Sequence, residues 1–149
     1  MTSRASPPVA RTNNRWVHAQ PSGIHGQGLF ARVDIPAGTA MVEYAGPRLS
    51  VRQGKRLANE GNVYMFRANR REFIDGSVSW NLARHANHSC APNAASQGMA
   101  GGIWLRALRT IARGAEITYD YGFPVGDEPV ACKCGAPTCA GVITAARHR

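Results

Sequence analysis

The sequence predicts a mainly β fold with short helices, on three observations. From Trp16 onward, short apolar segments recur, each broken by Gly or Pro before it reaches helical length. Sixteen Gly and nine Pro punctuate the chain, a density that favours turns over long helices. Two segments also echo each other. Ile35-Pro36-Ala37-Gly38 leads into a strand ending at Tyr44-Ala45-Gly46, and Ile111-Ala112-Arg113-Gly114 leads into one ending at Asp120-Tyr121-Gly122. Each of these glycines permits a tight turn ahead of its strand. Two copies do not make an array, so both belong to one fold.

Taken in order, residues 1–15 hold Ser, Pro, Thr, Asn and Arg with little periodicity and read as a flexible arm. Strands are expected at Trp16–Ala19, Leu29–Val33, Thr39–Tyr44, Tyr64–Arg67, Glu72–Asp75, Ile103–Leu108 and Glu116–Tyr119. A helix is expected over Val51–Asn59, where Ser50 can cap it and Gln53 can complete a capping box. A second short helix is expected over Ser79–Arg84. At 149 residues the chain suits one domain with a real core.

Composition narrows the classes. An apolar fraction of 44% argues against wholesale disorder. No run approaches the roughly 20 apolar residues that cross a bilayer, and Met1–Arg15 lacks a signal-peptide core. A soluble intracellular protein without membrane partners is expected. Eighteen basic residues stand against nine acidic ones, a net +9, and all the basic ones are Arg except Lys55 and Lys133. Such charge attracts nucleic acid and anionic surfaces, yet no basic run exceeds Arg70-Arg71, which equally suits a solvated surface.

Four segments carry chemistry. Gly23-Ile24-His25-Gly26-Gln27-Gly28 would let backbone groups approach a ligand, although a hairpin turn alone would explain it. It lacks the strand, helix and third glycine of a dinucleotide fingerprint. Arg84-His85-Ala86-Asn87-His88-Ser89-Cys90-Ala91-Pro92-Asn93 concentrates donors and acceptors, with a structural turn as its plainer reading. His88 has no carboxylate near it in sequence to orient it as a general base. Glu116-Ile117-Thr118-Tyr119-Asp120-Tyr121 looks like a strand end, and a core aromatic cluster would account for it too. Last, Cys132-Lys133-Cys134 and Cys139 place three thiols within eight residues. Inside a cell such clusters point to metal rather than disulfides. Four sulfurs would close a zinc site with Cys90 as the fourth ligand, while three thiolates with water or with His148 are the alternatives.

Together and in this order, the segments resemble the SET-domain protein lysine methyltransferases that carry a post-SET zinc motif. The resemblance spans about Trp16 to Ile143, through Asn-His-Ser-Cys with Pro-Asn, then Thr-Tyr-Asp-Tyr-Gly, then Cys-x-Cys-x4-Cys. It implies small curved sheets around a C-terminal pseudoknot, with a SET domain at 16–123 and a zinc-binding segment and tail at 124–149. It implies S-adenosylmethionine held by Gly26, Gln27, Gly28, Tyr64, Arg84, Asn87, His88 and Tyr121. Tyr44, Tyr119 and Tyr121 would line a lysine channel, Tyr121 matching the catalytic tyrosine and Tyr119 the position that sets how many methyls are added. One structural Zn²⁺ on Cys90, Cys132, Cys134 and Cys139 is implied, as is a basic protein substrate such as a histone or nucleoid protein. Indirect association with DNA is a further expectation, as is a cytoplasmic or nucleoid- or chromatin-associated location, with secretion to a host left open. A catalytically inactive peptide-binding or DNA-associated module is the competing reading. Departures from the family pattern are His85-Ala86 where apolar residues are usual, Pro47-Arg48 and Ala115 where acids are usual, and no pre-SET cysteine cluster. A basic enzyme meets a basic tail more easily through an acidic groove, for which Glu116, Asp120, Asp127 and Glu128 are the candidates.

Overall fold

The computed structural model describes residues 14–24, 26–121, 130–139 and 141–143. Most of the expected arm, together with His25, Asp127, Glu128 and His148, lies outside them. The strands are β1 (Val17–Pro21), β2 (Gln27–Ala31), β3 (Ala40–Glu43), β4 (Arg48–Ser50), β5 (Met65–Arg67), β6 (Glu72–Asp75), β7 (Asn87–His88), β8 (Ala94–Met99), β9 (Gly102–Ala107), β10 (Glu116–Tyr119), β11 (Val130–Ala131) and β12 (Val142–Ile143). Helix α1 (Val51–Asn59) follows β4, and a 3-10 turn covers Leu82–His85. The main sheet runs β1-β2-β10-β8-β9-β3 with β7 also on β10, beside a small β4-β6-β5 sheet and a β11-β12 pair.

Helix α1 forms where the caps say it should. Ser50 accepts from the Gln53 amide at 3.2 Å, and the Gln53 side chain accepts from the Ser50 amide at 3.1 Å. The second expected helix is only the 3-10 turn, because Asn81 is fully buried and already committed to other backbone. Its side-chain oxygen accepts from the Ala45 amide at 3.0 Å, and its nitrogen donates to the Gly76 carbonyl at 3.0 Å. A buried amide with both ends satisfied outweighs the weak helical preference of this stretch.

The two echoing segments face one another. Ile35 and Ile111 exchange backbone hydrogen bonds at 2.8 and 2.9 Å, both side chains lie in the core, and Gly38 and Gly114 both adopt φ +86°. The Gly38 amide donates to Ala107 as the Ala107 amide donates to Thr39. In the same way Gly114 donates to Ala31 as Ala31 donates to Ala115. Each turn thus closes a strand end of the main sheet, and the local resemblance becomes an approximate twofold relation. Around it pack Val17, Leu29, Met41, Ile74, Leu105 and Ile117.

Strand β10 is the hub. It pairs antiparallel with β2 and parallel with both β7 and β8. Asn93 pins it, accepting from the Thr118 amide and donating to the Glu116 carbonyl, each at 2.9 Å. The first contacts of the described chain come from Asn14, whose amide nitrogen donates to the Met41 carbonyl at 2.8 Å.

Candidate functional site

At the ends of β3 and β10, three tyrosines converge. Tyr119 is 6% exposed and its ring lies 5.0 Å from that of Tyr121. Tyr44, 4% exposed, stacks on Phe66 at 4.8 Å and donates its hydroxyl to the Tyr64 carbonyl at 2.8 Å. Tyr121 donates its hydroxyl to the Ala86 carbonyl at 2.8 Å. The departure from the family pattern at Ala86 thus leaves a buried methyl and a backbone acceptor for Tyr121. Burial, then the neighbouring phenols, raises the Tyr119 and Tyr44 pKa values, and burial first pushes Tyr121 up to about 12. All three hydroxyls are neutral at physiological pH, able to orient a partner and unable to act as strong bases.

Beside them stand Arg84 and the segment around Gln27. Arg84 places its guanidinium 5.7 Å from the Tyr64 ring and donates to the Ser77 carbonyl at 3.3 Å. Its Nε is buried with no hydrogen-bond partner among the described residues. An orphaned guanidinium N–H next to an aromatic face suits a ligand that presents an anionic oxygen. Gly26 takes φ +46° with open space on its side-chain side.

Gly28 differs. A Cβ there would sit 2.5 Å from the Glu116 carboxylate and 2.8 Å from Ser22, so that space is already filled by protein. Glu116 accepts from the Ser22 hydroxyl at 2.8 Å and from the Asn87 amide at 2.9 Å, and Asn87 also donates to the Gln27 carbonyl at 3.2 Å. Glu116 therefore ties the glycine-rich turn to β7 and is not part of an exposed acidic groove. Asp120 lies 3.8 Å from His88 Nδ1. Ser22, Asn81 and Glu116 carry structural duties that no motif announced. The available signal was a polar residue amid apolar neighbours, most clearly Glu116 inside a strand.

The four cysteines come together across some forty residues of chain. Their sulfurs all lie within 4.8 Å of one another, with Cys90 at 3.8 Å from Cys132 and 4.0 Å from Cys139. A tetrahedral ion with bonds of about 2.3 Å to sulfur requires sulfur separations of roughly 3.8 Å. Desolvation first, then donation to neighbouring thiols, pushes Cys132 up to about 12. At Cys134 desolvation acts upward, but backbone donors at Cys90 and Ala136 and the thiols of Cys132 and Cys139 outweigh it and bring the group down to about 6. The cluster is of a kind that could hold a soft divalent ion, and an all-sulfur donor set fits zinc.

The model of the SET domain family matches residues 26–122. Similar proteins include the fission yeast (Schizosaccharomyces pombe) "Histone-lysine N-methyltransferase, H3 lysine-4 specific", 36% identical over 143 residues and 89% of this chain. The human "Histone-lysine N-methyltransferase 2B" is 38% identical over 88% of the chain, and trithorax of Drosophila virilis is 39% identical over 88%. The chain belongs to the SET-domain family. It spans 16%, 5% and 4% of the lengths of these three relatives, respectively.

Proposed function

We propose that this chain is an S-adenosylmethionine-dependent protein-lysine N-methyltransferase whose main product is mono- or dimethyl-lysine on a basic protein of the histone kind. The convergence of Tyr44, Tyr119 and Tyr121 beside Arg84, Tyr64 and the Asn87–Gln27 link supports it best. The relatives' names point to the same chemistry. In this reading the SET unit occupies 16–123 and the zinc segment and tail 124–149.

S-adenosylmethionine, when bound, supplies an electrophilic methyl group on a sulfonium. Arg84 Nε and the backbone at Gly26, Gln27 and Gly28 would hold it, with Tyr64, Asn87, His88 and Tyr121 alongside. A lysine enters as ammonium, which has no lone pair, and bringing it to the neutral amine at pH 7 costs roughly 4–5 kcal/mol. The buried tyrosines make the channel dry, which disfavours the ammonium before the methyl moves. Tyr121 fixes its own proton on the Ala86 carbonyl, and its oxygen can accept an N–H of the amine and align the lone pair. Since none of the three phenols is a strong base, the ammonium gives its proton to bulk water at the channel mouth, before the side chain is fully desolvated. Zinc on Cys90, Cys132, Cys134 and Cys139 would be structural, because four thiolates leave no position for water. Four thiolates with one dication add −2, which leaves the +9 chain still basic.

The test is transfer of labelled methyl from S-adenosylmethionine to basic proteins such as histones. Label on lysine that falls by at least about a hundredfold in Tyr121→Phe supports the reading (the scale of a lost transition-state contact). Label that ignores Tyr121, or no transfer to any basic protein, overturns it.

A further inference from the structure

We propose that His88 is a positioning residue, its ring bridging the Cys90 sulfur and the Tyr121 backbone so that the cysteine cluster holds Tyr121 in register. This rests on the reading of Tyr121 as the catalytic tyrosine and of the four thiols as a metal site.

The geometry dictates the direction of each bond. The Tyr121 backbone N–H can only donate, and it lies 3.0 Å from His88 Nδ1. Nδ1 therefore presents its lone pair, which puts the ring proton on Nε2. Nε2 lies 3.5 Å from Cys90 Sγ, so it is the sulfur that accepts. The Asp120 carboxylate, 3.8 Å from Nδ1, would favour a proton there, but that is beyond hydrogen-bonding range and would set two N–H groups against each other. The 3.0 Å bond decides the tautomer. The ring also lies edge-on to the Tyr121 ring at 5.3 Å and 69°, and His88 is 5% exposed. Both bonds thus run through one buried rigid plane.

Rigidity makes the bridge consequential. An imidazole cannot bend between its two nitrogens, so a displaced sulfur displaces the Tyr121 amide. In the other direction, an N–H donor on a metal-bound thiolate draws charge from the sulfur and orients it. Cys134 and Cys139 take such donors from the Ala136 and Gly141 amides, at 3.5 and 3.3 Å. At Cys90 a donor comes from a side chain, and it can be changed by mutation.

Two substitutions separate the halves of the bridge in the full zinc-loaded chain. The carboxamide oxygen of His88→Asn reaches the Nδ1 position and removes the imidazole donor from the sulfur. The terminal nitrogen of His88→Gln reaches the Nε2 position and leaves the Tyr121 amide without its acceptor. Zinc release to a chromogenic chelator and exchange of the Tyr121 amide proton by NMR are then followed together. His88→Asn should release zinc about tenfold faster with the Tyr121 amide still protected. His88→Gln should retain zinc, expose the Tyr121 amide to exchange about tenfold faster, and lower kcat more than it changes KM (a supporting-residue effect of the size in). Both variants matching the parent, or both changing both readouts equally, overturns the bridge. A measurement without mutation guards against misfolding: with spin-active cadmium in place of zinc, scalar coupling to the His88 Nε2 proton is expected, and its absence overturns the proposal. If the parent transfers no methyl, the enzymatic reading fails while zinc release and amide exchange still decide the bridge.

Discussion

Tyr44, Tyr119 and Tyr121 keep their protons past the usual phenol range, because burial penalises the phenolate and each further phenol nearby penalises it again. Between about pH 10 and 12 the unfolded chain sheds protons that the native chain retains, so stability is whole below pH 10 and falls above it. Ultraviolet titration should show three of the four tyrosines ionising late in the native protein, with the denaturation midpoint dropping over the same interval. Three early titrations would mean that the cluster is open to water. Tyr119 carries a second prediction, since its hydroxyl crowds the proposed channel beside Tyr121. Tyr119→Phe should shift products toward di- and trimethyl-lysine, read by mass spectrometry of the methylated substrate. An unchanged product ratio would remove Tyr119 from that role. Tyrosines and cysteines were visible in the sequence as chemistry, because their type and spacing announce it. Glu116 was visible only as a charged strand residue, since its acceptance from Ser22 and Asn87 cannot be read in one dimension.

Elements whose cause is local were legible to the residue: α1 has its own capping box, β6 sets two apolar residues between acids, and β10 alternates polar with apolar. Strands whose cause lies elsewhere were not. Ala94–Met99 reads Ala-Ala-Ser-Gln-Gly-Met, with little apolar content and four exposed residues at its end, and is a strand because six residues pair with β9. The two-residue β7 exists only through β10. At this scale charge is organised as well. Residues 48–75, which span β4, α1 and the small sheet, hold seven basic residues against three acidic ones, so they supply +4 of the chain's +9. Arg52, Lys55 and Arg56 fall at i, i+3 and i+4 on α1 and are all exposed. Pro47-Arg48, where the family has an acid, adds to this face and is absorbed into the sheet through a 3.1 Å pair with Glu72. Duplex DNA should bind here in a salt-sensitive manner, and Arg52→Ala with Lys55→Ala should flatten the log–log salt dependence by about two units without lowering thermal stability. An unchanged slope would place the contact on another face.

Across the whole molecule, the first and last thirds of the chain are interleaved. Strand β2 pairs with β10, β3 pairs with β9, and Ile35 closes on Ile111. No described helix is long and apolar enough to cross a membrane. The connection after α1 is the exposed stretch between these thirds, with Val63 81% exposed. A protease that nicks the backbone near Gly61 should therefore leave a particle of unchanged size, its two pieces parting only in denaturant. Pieces that separate in plain buffer would show the interleaving to be weaker than its hydrogen bonds suggest. The reciprocal closure of the two turns has a further meaning for how the chain is assembled. A ribosome that has delivered Ile35 has delivered half of a clasp, and that half must wait with its backbone unanswered until Ile111 emerges. Commitment to the native state thus waits for Ile111, whose arrival fastens what was made first.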